Sequence, residues 1–367
     1  MNPVFFMPTK IICEKNAIIK YGDELCCLGK IALIITGKKS SKLNGALDDV
    51  LSILNQKNIN YYIFDDVEEN PSTSTISKII ELNKNNNIDF VIGVGGGSSI
   101  DASKAASILL ANPSMNVIDL FSIDNFKSIP VVAIPTTAGT GSETTQYSIL
   151  TNHSVKNKVS IKAKVFPKIA FLDASYLMNT PQFITINTAV DALSHLIEGY
   201  LSTNCNLFSD SLAESGIKIF SECIKHLVDS EISFKVREKL LCASAIAGIV
   251  IAQSGTSLPH GMGYPLTYYH NIPHGMANGI LLKEYLKNYN SNDSIKISKI
   301  LSLLGFKTLD EFGNYIEELL SNKVKVSISE LEEYSNYMIS NEAKLKNHPF
   351  KITYDDILNI YKNSLLI

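Results

Sequence analysis

Five short runs rich in β-branched and aromatic residues, at 31–35, 61–64, 90–94, 131–134 and 169–172, fall in the first half of the chain. Segments of helical length and spacing separate the earlier ones, at 42–57, 72–87 and 99–111. Strands that alternate with helices cannot pair as hairpins, so they predict a parallel sheet with helices on both faces, a doubly wound α/β domain. Beyond about residue 180 the pattern changes. Segments 185–201, 207–228, 234–252 and those after 283 read as helices with no convincing strand between them, so the second domain is expected to be all-helical. Pro181 stands at the changeover. The expected division is 1–181 for the α/β domain and 182–367 for the helical one, and a chain of 367 residues exceeds the size at which one core usually keeps growing.

Composition removes several function classes. Hydrophobic residues make up 45% and charged residues 19%, with a formal net charge of -3, which describes an ordinary globular protein and no polyanion binder. Arg237 is the only arginine, and the lysines are scattered, so no nucleic-acid-binding stripe is present. The longest apolar run, 240–252, is too short to span a bilayer and reads as a buried helix. The first residues lack the basic start and apolar core of a secretory signal, and six cysteines without a CxxC spacing suit reduced thiols; both lead to an expectation of a cytoplasmic protein with no membrane partner.

Two strand ends run into glycine-rich segments. In IGVGGGSSIDASKAA, Gly95, Gly96 and Gly97 follow a strand and Ser98 precedes a helix. Glycine lets the backbone approach an anion, and the amides and dipole of a helix start favour phosphate there. The spacing departs from G-x-G-x-x-G, and alone it also describes a plain tight turn. A second segment, IPTTAGTGSETT, closes another strand with small hydroxyl residues beside glycines. Ligands of open α/β sheets bind at the carboxyl ends of strands, so two such loops in one sheet point to a dinucleotide.

Asp191 and His195 lie four apart in a helical stretch and so share a face. His260 and His274 are each followed by glycine in the block SLPHGMGYPLTYYHNIPHGMAN. A carboxylate and three imidazoles without thiolate suit Fe(II), Zn(II), Co(II) or Ni(II) with a coordination position left open for substrate. His270, the extra histidine of that block, is the candidate proton relay, with a solvated loop histidine as the alternative. His153, His226 and His348 lie outside any such grouping and are expected to be structural.

With GGGSSID at 95–101, PTTAGTGSE at 135–143, Asp191 with His195, and the block from His260 to Gly275 in this order, the sequence resembles the iron-containing (group III) alcohol dehydrogenases over nearly its whole length. The resemblance implies a Rossmann-like N-terminal domain, a helical C-terminal domain, a cofactor cleft between them and a homodimer. It assigns Asp191, His195, His260 and His274 as metal ligands, with iron expected and zinc as the alternative. Gly96, Gly97, Ser98 and Asp101 match the pyrophosphate loop, Thr136, Thr137, Thr140 and Thr145 the second cofactor segment, and Lys158 a further cofactor contact. Two departures stand out. Tyr264 occupies a position where some members carry a second histidine. Gly37 stands where NAD-preferring members carry a ribose-binding aspartate, and with Lys38, Lys39, Ser40 and Ser41 beside it NADP(H) is favoured over NAD(H).

The expected activity is hydride transfer between nicotinamide and a small primary alcohol or aldehyde of the butanol, 1,3-propanediol or lactaldehyde kind, with the cation acting as a Lewis acid on the substrate oxygen. The alternatives on the same fold are a glycerol-dehydrogenase-like polyol oxidoreductase or a dehydroquinate-synthase type of lyase. From other classes come a metal-dependent phosphate-ester hydrolase and a nucleotide-sensing module.

Overall fold

A computed structural model describes residues 4–124, 126–289, 294–320 and 324–365. The chain divides into two compact units, one of Met7–Pro181 with Ser233–Ala245, the other of the described residues in Met1–Phe6, Gln182–Ile232 and Ile246–Ile367. The division falls at Pro181, but 233–245 groups with the N-terminal unit, so the helix containing the long apolar run contributes residues to both.

In the N-terminal unit the elements are β1 (Lys10–Cys13), α1 (Ala17–Tyr21), β2 (Ile31–Gly37), α2 (Ser40–Leu43), α3 (Ala46–Gln56), β3 (Asn60–Val67), α4 (Thr73–Asn83), β4 (Phe90–Gly95), α5 (Gly97–Ala111), β5 (Val131–Pro135), β6 (Ile149–Asn152), β7 (Asn157–Ser160) and β8 (Ile169–Leu172). Six strands form a parallel sheet in the order β1-β8-β5-β4-β2-β3. The direction of winding reverses between β2 and β4, and the crevice outside the carboxyl ends of strands at such a reversal is where doubly wound sheets take their ligands. Leu33, Ile35, Val91 and Val131 pack in one core with Ile76, Ile79 and Ala105 of α4 and α5. Ile34 and Ile92, one residue out of phase, face the other way and are equally buried, so both faces of the sheet are covered.

All five expected strands form. Two features escaped the periodicity. β1 is a four-residue edge strand with only Ile12 buried, too short and too exposed to show alternation. The antiparallel hairpin β6–β7, with Asn152 opposite Asn157, is built largely from Thr, Asn, Lys and Ser, which read as loop. The single helix expected over 42–57 is two, because Gly45 adopts φ +83° and starts α3 afresh.

The C-terminal unit is helical in every named element: α6 (Gln182–Leu201), α7 (Leu207–Ser221), α8 (Ile224–Val228), α9 (Phe234–Ser254), α10 (Leu258–His270), α11 (His274–Gly279), α12 (Leu282–Lys287), α13 (Ser294–Leu304), α14 (Leu309–Leu320), α15 (Ile328–Ile339), α16 (Glu342–Leu345) and α17 (Tyr354–Ser364). The parts of the helical expectation at 290–293, 321–323 and 366–367 lie outside the described residues. Among the described residues no single helix is long and apolar enough to cross a membrane.

Helix α6 is buried almost all round from Thr185 to Leu201, as its mixed small and aliphatic surface requires. Its tightest neighbour is α11. A Cβ built on Gly275 would lie 1.8 Å from the backbone oxygen of Asn187 and 3.0 Å from Asp191 Cβ, so only glycine allows the two backbones to meet here. Because backbone cannot yield as a flexible side chain does, Gly275→Ala is expected to destabilise the protein by about 3 kcal/mol or more, read from the urea midpoint. A variant within about 0.5 kcal/mol of the parent would show that α11 does not approach α6 this closely.

Candidate active site

Asp191 and His195 project from one face of α6, and Glu198, a further turn along, projects from the same face. His260 lies in the first turn of α10, which Pro259 opens at a position where a missing N–H costs nothing. His274 is the first residue of α11, positioned by the αL turn at Asn271, φ 53°. Ligand atoms of Asp191, His195 and His260 lie within 4.8 Å of one another, and all three residues are buried. His260 Nε2 stands 3.5 Å from Asp191 Oδ1, and His274 Nε2 stands 3.9 Å from the same oxygen. The His195 and His260 rings stack at 4.3 Å between centroids, with the His274 ring edge-on to His260 at 5.3 Å.

The donor set fits a divalent cation. His260 Nε2 is buried with no hydrogen-bond partner, although its other nitrogen is in hydrogen-bond contact with Glu198 Oε1. Burial alone would push the Asp191 carboxyl up, but the imidazoles of His195, His274 and His260 outweigh it and hold that carboxyl far below the usual carboxylate range. Burial likewise disfavours a charged His260, yet Glu198 and Asp191 together raise its pKa. An anion that draws this much positive charge around itself, among N and O donors and no thiolate, is what a borderline cation such as Fe(II) or Zn(II) binds.

Several site residues were not singled out in the sequence. Glu198 follows His195 by three and Asp191 by seven, a spacing that marks one helix face and could have found it. Asn278, four residues after His274, donates from Nδ2 to Asp191 Oδ1 at 3.0 Å and lies 3.2 Å from His274 Nε2. Lys344 carried no such signal. Its ammonium lies 5.4 Å from the centre of the Tyr264 ring, which in turn stacks on His274 at 5.6 Å. Burial pushes Lys344 down to about 8 against the attraction of Glu198.

His270 is not brought into this cluster. It sits at the far end of α10, ten residues and about 15 Å along the helix from His260, with Nε2 2.9 Å from the Tyr334 hydroxyl and 3.6 Å from Glu330 Oε1.

In the N-terminal unit β4 and β5 are adjacent, so the two glycine-rich loops lie side by side at their carboxyl ends. Gly97 opens α5, and a Cβ there would stand 2.7 Å from Thr140, while one on Gly96 would stand 3.2 Å from Thr137. The loops therefore touch. Ser98 Oγ accepts from Asn70 N–H at 3.1 Å. Asp101 has both carboxylate oxygens engaged, by the Ser142 hydroxyl and by Ile149 N–H at 2.9 Å, so it ties α5 to the second loop. Burial pushes its carboxyl up, with Lys104 as the main opposing influence.

Lys104, missed in the sequence, is fully buried beneath both loops and donates to Ser142 Oγ at 2.8 Å and Tyr147 O at 2.6 Å. Thr145 is buried within 3.4 Å of the same ammonium, and Thr136 Oγ1 is buried without a hydrogen-bond partner. Lys158 lies on β7 opposite Thr151 and is buried. At the end of β2, Gly37 is half-buried, and Lys38, Lys39 and Ser40 are exposed. Lys38 Nζ pairs with Asp66 Oδ1 at 3.1 Å. Ser41 departs from expectation: its hydroxyl is buried and accepts from Thr36 Oγ1 at 2.6 Å, closing the turn after β2, so it is not presented to a ligand.

The sequence pattern of "Iron-containing alcohol dehydrogenase" matches residues 8–174, and that of "Fe-containing alcohol dehydrogenase family, C-terminal" matches 185–365. The crystal structure of an iron-containing alcohol dehydrogenase from Thermotoga maritima superposes with a TM-score of 0.92 at 41% identity, covering 99% of both chains. An NADPH-dependent butanol dehydrogenase from Clostridium saccharobutylicum is 33% identical over 357 residues, 94% of this chain and 88% of that one. A lactaldehyde reductase from Escherichia coli K12 is 31% identical over 281 residues, 75% of this chain and 72% of that one. With both halves matched and the site geometry in place, the chain belongs to the iron-containing alcohol dehydrogenase family and is an alcohol/aldehyde oxidoreductase.

Proposed function

We propose that the protein interconverts short primary alcohols and aldehydes, of the butanol, 1,3-propanediol or lactaldehyde size, using NADP(H) in preference to NAD(H) and Fe(II), with Zn(II) as a substitute. The observation that carries this reading is the meeting of Asp191, His195 and His260, with His274 beside them, around a buried imidazole nitrogen that has no hydrogen-bond partner. Those four residues would hold the cation, whose chemistry when bound is Lewis acidity toward the substrate oxygen, while the nicotinamide supplies or accepts the hydride.

The remaining tasks belong to the chain. Asn278 holds Asp191 and His274 in mutual register by donating between them. Tyr264, stacked on His274, covers one flank of the cluster. Gly96, Gly97 and Ser98 at the start of the 15-residue α5 would receive the pyrophosphate, where amides and helix dipole favour it. Thr136, Thr137, Thr140 and Thr145 line the second segment, Lys158 adds a positive charge, and Asp101 with Lys104 fixes the two loops together. His270, bonded to Tyr334, is a poor relay from that position, so solvent or the cofactor ribose carries the proton. The working assembly is taken as a homodimer, on the family resemblance.

Preference for NADP(H) is supported by Gly37, which leaves no carboxylate to repel a ribose phosphate, and by exposed Lys38, Lys39 and Ser40. The carboxylate of Asp66 beside Lys38 weakens that field without removing it.

Two measurements test the proposal. Dialysis against a chelator is expected to abolish aldehyde-dependent oxidation of NADPH, and Fe(II) or Zn(II) to restore it; full turnover by the metal-free protein would refute the metal role. Gly37→Asp is expected to lower the ratio of kcat/KM for NADPH over NADH by roughly tenfold or more, since about 1.4 kcal/mol of repulsion suffices. An unchanged ratio would remove this turn from cofactor selection.

A further inference from the structure

The carboxylate of Glu198 is completely buried, and three donors converge on it. Ser257 N–H, at the head of α10, donates to Oε2 at 2.7 Å, the Ser194 hydroxyl donates to Oε1 at 2.8 Å, and His260 Nδ1 contacts Oε1. Since Ser257 N–H and the Ser194 hydroxyl already donate, the carboxylate acts there as an acceptor, and the His260 nitrogen facing it must carry the hydrogen. A neutral imidazole has one N–H and one lone pair. Fixing the hydrogen on Nδ1 therefore puts the lone pair on Nε2, the nitrogen that faces Asp191 and has no hydrogen-bond partner. The ring is held in orientation as well, because Glu198 stands on the same helix as Asp191 and His195 while Ser257 and His260 stand together at the start of α10. Lys344, buried and bonded to Thr256 next to Ser257, brings a positive charge to the same corner.

We propose that Glu198 is a positioning residue of the cation site: it sets the tautomer and the aim of His260 without itself reaching the ion. This rests on the metal reading above. Replacement by glutamine separates charge and acceptor from shape. Whichever way the amide is turned, it either meets the Ser257 N–H with a donor or meets His260 Nδ1 with one, and in the second case Nδ1 must accept and the hydrogen moves to the nitrogen that should bind metal.

The test compares parent and Glu198→Gln by Co(II) binding, measured in competition with a chelator and by the visible spectrum of the bound ion, with the thermal midpoints of the metal-free proteins as the check on folding. The expected result is a roughly tenfold to hundredfold loss of Co(II) affinity in a variant whose metal-free midpoint stays close to the parent's. Equal affinity in the two proteins overturns the proposal while leaving the metal site standing. A parent that binds no Co(II) overturns both. Should the variant not fold, nitrogen-15 spectra of the imidazoles in the zinc-loaded parent decide instead: hydrogen on His260 Nδ1 is expected, and hydrogen on Nε2 contradicts it.

Discussion

Asp191 is a carboxylate almost without solvent, in the middle of a helix that is itself buried on nearly every side. An ion in such a place is costly unless opposite charge or hydrogen-bond donors surround it, and the cost of leaving it unpaired is several kcal/mol. Much of the architecture around it answers that demand. Helix α10 presents His260 from its first turn, α11 presents His274 from its first residue, and Gly275 removes the side chain that would otherwise keep α11 away. A cation placed among these groups would replace the partial compensation by imidazoles with a full one, so the arrangement that is expensive for folding alone is the one that binds metal.

The N-terminal unit solves a different problem with the same economy of means. Two loops must stay open to a polyanion while keeping their shape, and they are held from beneath. Lys104 and Asp101, both on α5, reach the second loop through Ser142, Tyr147 and Ile149, so the helix that opens with Gly97 also fixes the segment that follows β5. The exposed hydroxyls and amides are then free of a structural task. Ser41 shows the opposite allocation: it looks like a ligand-facing serine in the sequence, but Thr36 uses it to close a turn.

What could be read from the residues divides along physical lines. The strands of the sheet interior were legible because burial on both faces leaves continuous apolar runs, and β1 and the β6–β7 hairpin were not, since edge and surface strands carry polar residues. The break at Gly45 was hidden inside an otherwise periodic helix. At the site, spacing on one helix marks Asp191 with His195 and would have marked Glu198, whereas the approach of α10 and α11 to α6 is tertiary and was reached only through family resemblance. Lys344 and Lys104 are buried ammoniums, and nothing local distinguishes them from surface lysines. His270 was singled out by its neighbours in sequence, but ten residues of helix carry it away from His260.

The central claim is that one carboxylate and three imidazoles bind a single cation. X-ray absorption at the metal edge of the protein purified with its ion reads that shell directly. The account predicts nitrogen and oxygen scatterers at about 2.0–2.2 Å, the multiple-scattering pattern of several imidazoles, and no sulfur. A sulfur shell at about 2.3 Å, or a spectrum lacking imidazole, would contradict it.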